Sequence, residues 1–228
     1  MIINEPLPDT SGNEAEVLGN RFRRAKTIKD LWLPKFEECY EYSMPQRESL
    51  YAQTQAQVRT DKIFDETAVV GVQEFASRLQ SGLVPNYARW AELVAGSEIP
   101  KEQTSEVDKA LEEVTNYIFE IIQNSNFAQE SHEAFLDLAV GTGCLQITEG
   151  DAVNPIMFTA VPLSQLYLDI GPDDKIDHIF RERSLRASNI KVAYPKAKIP
   201  AELQRKLDTG KDEHITLVDC TYRLYGSL

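Results

Sequence analysis

The glycine pair in LAVGTGCLQI, residues 138–147, comes nearest of any stretch in the chain to a ligand-binding turn. A glycine-rich turn holds phosphate when it follows a strand and opens a helix, because the helix N-terminus then faces the anion. Here the flanking patterns run the other way: a helical stripe leads in and an alternating apolar segment leads out. Position 146 is Gln146 where a dinucleotide fingerprint has its third glycine, and no Gly-Lys-Ser/Thr follows. Gly141 is therefore read as a helix C-cap in the left-handed conformation, with Gly143 leading into a strand. A nucleotide-binding enzyme built on Gly141-Thr142-Gly143 stands as the alternative function.

The other chemistry-bearing residues are scattered. Cys39, Cys144 and Cys220 form no Cys-x-x-Cys pair and fit apolar thiols in a reducing compartment. His132, His178 and His214 lack the spacing of zinc ligands. Asp169, Asp173, Asp174 and Asp177 lack EF-hand spacing and a closing glutamate, and read as a solvated turn. No Gly-x-Ser-x-Gly or other nucleophile arrangement occurs. The reading is of a protein that is not an enzyme, with no catalytic residue, no cofactor and no metal.

Basic residues gather in two places. Arg21, Arg23, Arg24, Lys26 and Lys29 lie on the first helix, with Arg21 and Arg24, and Arg23 beside them, off its Leu18/Phe22/Ala25 face. Arg181 and Arg183 lie in RERSLR, residues 181–186. The first group suits a solvent face with i,i+4 acids, or a contact with an acidic neighbouring subunit or with DNA; the second is a strand end of alternating charge that also suits an interface. With 24 Lys+Arg against 36 Asp+Glu the net charge is −12, so a subunit contact is favoured over DNA.

The elements that carry these residues follow from periodicity. The 228 residues, 42% apolar and 26% charged, suit one large or two small globular domains. No apolar run reaches the ~18 residues of a membrane span, and no signal peptide is recognised, so a soluble intracellular chain is expected. Residues 1–10 read as a loose arm. Ser11 and Glu14 have capping-box spacing ahead of a helix that Pro34 should kink or split and that Met44-Pro45 ends. Residues 46–60 read as a polar loop. Asp65 caps a second helix with the stripe Ala68, Val69, Val72, Phe75, Ala76, Leu79 and Leu83, ended by Gly82 and Pro85.

YARWAELV, residues 87–94, reads as a strand anchored by Trp90, and Ser105 opens a third helix. Asn126 and Gln129 cap a fourth, which ends at Gly141. Alternation then predicts strands at 144–148, 156–161, 165–170, 175–185 and 214–225, with a turn at Gly171. Short helices are expected from Ser188 to before Pro195 and from Pro200 to Gly210. The fold class is α+β: a mainly helical portion over 11–141, then a mostly antiparallel β-rich portion over 142–228.

Several segments, in order, resemble one family. CYEYSMP, 39–45, is similar to the Tyr-x-x-Pro ending of the first helix in head-to-tail connector (portal) proteins of short-tailed, T7-like bacteriophages. Phe75-Ala76-Ser77-Arg78-Leu79, then Leu83-Val84-Pro85, then Trp90 resemble the family's most recognisable stretch, with Phe75 where leucine is commoner. NSNF followed by EAFLDLAVGTGCLQI, and the hairpin around Gly171, resemble its next segments. Family members are typically more than twice as long, and their stem, clip and crown have no counterpart before Leu228, so the chain resembles the N-terminal wing.

The resemblance implies a non-enzymatic ring, usually of twelve subunits, at a capsid vertex of the virion, assembled in the host cytoplasm. Double-stranded DNA passes through it. It also implies terminase, then a tail adaptor, and the major capsid and scaffolding proteins as partners, with no membrane. Pro45, Leu79, Pro85, Trp90, Gly141, Gly143 and Gly171 would be structural residues. Arg21, Arg23, Arg24, Lys26, Arg181 and Arg183 would face a neighbouring subunit or DNA. An acidic phage adaptor protein is a further alternative.

Overall fold

The computed structural model describes residues 13–47, 64–171, 173–195, 199–208 and 212–223. The expected arm, the serine of the capping box and most of the polar loop lie outside them. The helices are α1 (Asn13–Ser43), α2 (Thr67–Leu83), α3 (Lys101–Asn124), α4 (Phe127–Val140), α5 (Ala187–Ala193) and α6 (Ala201–Asp208). The strands are β1 (Leu145–Glu149), β2 (Ile156–Ala160), β3 (Leu166–Ile170), β4 (Ile176–Arg186) and β5 (His214–Tyr222). Helices precede antiparallel sheets, so the fold is α+β. It packs as two compact units: one within Leu33–Ser164, the other within Met1–Trp32 and Gln165–Leu228. The first part of α1, to Trp32, lies in the second of these units and its remainder, from Leu33, in the first.

In the first unit α2 packs on α4. The core is Tyr40, Met44, Ala76, Leu136 and Leu163, with Phe36, Val72, Phe135 and Val140 against it. Only part of the predicted α2 stripe is covered: Phe75 is 40% exposed and Leu83 59%. Asp65 accepts hydrogen bonds from the Thr67 amide and hydroxyl just ahead of α2, but the N-cap position is Glu66, one residue after the expected cap. β1 and β2 form an antiparallel pair, with Ile147 opposite Phe158.

Four local expectations are corrected. Pro34 does not split α1, which continues to Ser43. Residues 87–94 form no strand: the Leu93 amide donates to Thr115 Oγ1 (3.1 Å) and the Ala95 amide to Asp108 Oδ1 (2.8 Å), so side chains of α3 take the place of a ladder. α3 starts at Lys101, where the Pro100 carbonyl accepts from Gln103 and Thr104. Asn126 stands at the α4 N-cap but its side chain bonds Phe158 instead, and Ser125 Oγ accepts from the Phe127 amide.

In the second unit β3, β4 and β5 form an antiparallel sheet in that order. A bulge falls at Asp169/Ile170. The β3–β4 turn closes through the Gly171 amide on the Lys175 carbonyl (2.8 Å), with Asp174 at φ 55°. Ala25, Tyr167 and Phe180 are buried here, with Phe22 and Cys220 against them. The short helix after β4 begins at Ala187, and Ser188 donates to Asp212 Oδ2 instead of capping it.

Candidate functional site

Arg21 and Arg24 of α1 meet buried acids of the sheet in one cluster. The fold places Phe22 and Ala25 on the sheet, with Phe22 edge-on to Tyr167 at 5.1 Å. Helical geometry then sets Arg21 and Arg24, one turn apart, over the bulged end of β3. Arg24 grips Asp169 with Nε (2.9 Å) and Nη2 (2.6 Å). Arg21 Nη1 lies 3.4 Å from Asp169, 3.4 Å from Asp177 and 3.2 Å from His178 Nδ1. Asp169 is 1% exposed and Asp177 4%. Only Asp173 and Asp174 behave as the solvated turn expected for all four acids. A buried carboxylate needs a cation, and α1 supplies it.

Asp169, Asp177 and His178 bring their ligand-type atoms within 4.8 Å of one another. Two guanidinium groups already sit on them, so the positive charge the carboxylates require comes from the chain itself. The cluster is a charge-balanced clamp between helix and sheet. Beside it Lys26 Nζ lies 3.2 Å from Glu182, which also accepts from the Tyr167 hydroxyl (2.6 Å). Lys29 lies 4.0 Å above the Tyr167 ring, and burial lowers its ammonium pKa to about 8. Burial also pushes the Cys220 thiol up to about 11, away from thiolate chemistry.

The other sequence-selected cations have different settings. Arg23 is exposed and bonds its own helix, to Asn20 Oδ1 (2.7 Å) and Gly19 O (3.3 Å). Arg181 donates to Gln165 Oε1 (3.1 Å), and Arg183 pairs with Asp219 (2.9 Å). Arg183 also meets the Tyr194 hydroxyl. Thus Arg21, Arg24 and Lys26 hold carboxylates within the chain, across 145 to 156 residues of sequence, not the local acids that the helix pattern implied.

The glycine turn is built by close approach. The Gly141 amide donates to the Asp137 carbonyl, but its φ of −163° is extended, not left-handed. Glycine is needed there for space, since a Cβ would stand 2.9 Å from the Phe36 ring. A Cβ on Gly143 would stand 2.4 Å from the Ala134 carbonyl oxygen, so the close approach of the α4 backbone requires glycine there. Pro85 and Trp90 line an apolar pocket with Phe119, Ile122 and Phe127, Trp90 stacking on Phe127 at 5.9 Å. Leu79, Pro45 and Gly171 are half-buried.

Sequence reasoning missed a further buried carboxylate, apart from the Asp169/Asp177 cluster. Asp137, 2% exposed, accepts from the Tyr40 hydroxyl (2.9 Å) and the Leu163 amide (3.1 Å), with Arg47 at 3.5 Å. Burial raises its pKa, while Arg47 and the two hydrogen bonds oppose that shift. Both Asp137 in FLDLAV and Asp169 in LYLDI are acids inside apolar runs, which is the signal that could have found them.

Among the described residues, the pair nearest to a nucleophile and base is Ser184 with His214 Nδ1 at 3.3 Å. Both are exposed, so water competes for the hydroxyl. No helix among the described residues is long and apolar enough to cross a membrane.

Residues 15–225 match the model of a family described as bacteriophage head to tail connecting protein. The chain is also 21% identical over 211 residues to a probable portal protein of Bordetella phage BPP-1. That alignment covers 90% of this chain and 37% of the relative, so the chain spans little more than a third of the relative's length.

Proposed function

The chain belongs to the bacteriophage head to tail connecting protein family, and on that premise we propose that it is a portal subunit of a short-tailed, T7-like phage. In this reading copies form a ring, usually of twelve, at the capsid vertex, and double-stranded DNA passes through it during packaging and ejection. The helical part, 11–141, and the β-rich part, 142–228, belong to the wing. Terminase docks first and a tail adaptor later, with the capsid and scaffolding proteins around the ring. The family is a structural one, and the reading gives the chain no catalytic step.

The observation that carries the reading is the family match, continuous from residue 15 to 225. The net charge of −12 suits it. A channel that neutralised many phosphates would release their counterions, hold DNA tightly and resist its sliding. Arg23, on the exposed side of α1, remains a candidate for subunit contact; Arg181 and Arg183 do so only if their intrachain partners release them.

Electron microscopy of the purified full chain tests the proposal. Rings with an open central channel are expected. A chain that stays monomeric at its highest soluble concentration counts against it. So does saturable ATP binding by the wild-type protein in calorimetry, which would favour the nucleotide reading.

A further inference from the structure

Among the described residues two strand edges carry no partner, and they complement each other. The Val161 amide bonds the Cys144 carbonyl (2.9 Å) and the Gly150 amide the Pro155 carbonyl (3.0 Å). With the β1–β2 register, these bonds turn the main-chain groups of Gln146 and Thr148 toward β2 and those of Leu145, Ile147 and Glu149 away from it. On β5, the Ala187 amide on Glu213 and the Arg223 amide on Asp177 set the same alternation. Ile215, Leu217 and Asp219 face β4, while His214, Thr216, Val218 and Cys220 point outward. Among the described residues, no hydrogen bond reaches the outward main-chain groups of these seven residues.

The remaining two edges are partly covered. On β2 the Asn126 side chain donates to the Phe158 carbonyl (2.7 Å) and accepts from its amide (3.0 Å), and Glu130 accepts from the Ala160 amide (2.6 Å). β3 is five residues long, bulged, and has Arg24 on its Ile170 carbonyl (3.3 Å). β5 is nine residues long and carries none of the usual edge protections: no proline, no lysine and no bulge. Val218 is 41% exposed on it, and Ile147 is 58% exposed on β1.

We propose that the outer edge of β1 in one copy pairs antiparallel with the outer edge of β5 in a second copy. The outward residues become the hydrogen-bonded pairs Glu149–His214, Ile147–Thr216 and Leu145–Val218. This direction sets a carboxylate opposite an imidazole and an apolar residue opposite an apolar one. Parallel pairing would set Glu149 on Val218 and Leu145 on His214. Two different patches on each copy make a head-to-tail contact, which is the kind that builds rings and filaments. The inference rests on the connector reading for its occupant, a second copy.

Two edge variants test it in sedimentation velocity on the full chain. Ile147→Pro blocks β1 and Thr216→Pro blocks β5; each amide points outward, so proline removes no bond within the chain. Circular dichroism checks folding, and Ile147→Lys with Val218→Lys repeats the test without altering the backbone. Wild type is expected to self-associate and each variant alone to do so about tenfold or more weakly. An equimolar mixture of the two should recover association but stop at a heterodimer, since each variant keeps one edge.

Variants that assemble like wild type overturn the pairing, as does a mixture that fails to associate. Normal assembly of Ile147→Pro alone, with loss only in Thr216→Pro, replaces it by symmetric β5–β5 pairing. Rings formed by the chain blocked at both edges overturn the pairing and leave the connector reading intact. Open filaments built through these edges, with no closed ring, do the reverse.

Discussion

Asp137 and Asp169 show how differently two buried carboxylates are held. Asp169 is 1% exposed and gripped by Arg24 at 2.6 Å, with Arg21 at 3.4 Å. Arg24→Ala leaves that carboxylate with the weaker partner alone. The expected loss is about 3 kcal/mol, the low end for a broken buried pair because Arg24 itself reaches water. Arg23→Ala, two helix positions from Arg21, should stay within about 0.5 kcal/mol, since its bonds are local and exposed. Urea unfolding of the two variants measures the contrast, and equal losses would refute the clamp.

Asp137 behaves otherwise, because burial raises its pKa. Folding then favours the protonated carboxyl, and the folded state binds the extra proton. Its contribution to stability is greatest below the unfolded value of 3.8 and is lost as pH rises through the higher folded value. In Asp137→Asn the amide can donate to the Tyr40 oxygen and accept from the Leu163 amide, so the shape is kept. Relative to this variant, wild type should therefore lose stability as pH rises above about 4. Urea titrations of both proteins across that range measure it; a difference that is flat, or grows in favour of wild type, refutes the assignment.

At the scale of elements, Asn126 is the clearest case of a side chain doing the work of a strand. Its amide pairs with both main-chain groups of Phe158, at 2.7 and 3.0 Å, as a third strand would. Asn126→Ala leaves the amide of a residue 5% exposed without its acceptor, a cost of about 1–3 kcal/mol. Hydrogen exchange at the Phe158 amide should quicken by at least about tenfold, while exchange in β4 stays unchanged. Loss of protection across both sheets would instead mean general destabilisation.

The same residue marks the limit of what the sequence shows. NSNF-AQE has capping-box spacing, and the helix does begin at Phe127, yet the Asn126 side chain is drawn to β2, some thirty positions away. Helices α1 to α4 were legible because their stripes recur at helical period, and the β hairpins because their alternation is bounded by turns. The segment 87–94 alternates equally well but has no strand beside it. Trp90 and the Leu93 amide settle against α3 instead. The glycine at 141 was legible as a helix end; its conformation was not, because the Phe36 ring beside it belongs to a distant part of the chain. Of the α1 cations, the pattern showed which lie off the core face but not that Asp169, Asp177 and Glu182 would meet them.

For the whole molecule, the charge of −12 sets a test between two ways in which copies could meet. One is a basic α1 face against acidic helix faces of a neighbour, the pairing that the sequence alone offers. The other is strand pairing at β1 and β5. Arg21, Arg24 and Lys26 already hold Asp169, Asp177 and Glu182, so the first has mainly Arg23 left to offer. Screening acts oppositely on the two. Contacts led by cation–anion pairs weaken as salt rises. Copies that each carry a net charge of −12, and meet through main-chain hydrogen bonds and apolar side chains, approach more easily once their repulsion is screened. Raising NaCl from about 20 mM to about 300 mM shortens the Debye length from roughly 20 Å to under 10 Å. Self-association measured by sedimentation should strengthen over that range, and by less in Val218→Lys, which lowers the like charge while crowding the edge. Association that weakens with salt in the wild type would return the contact to the charged faces.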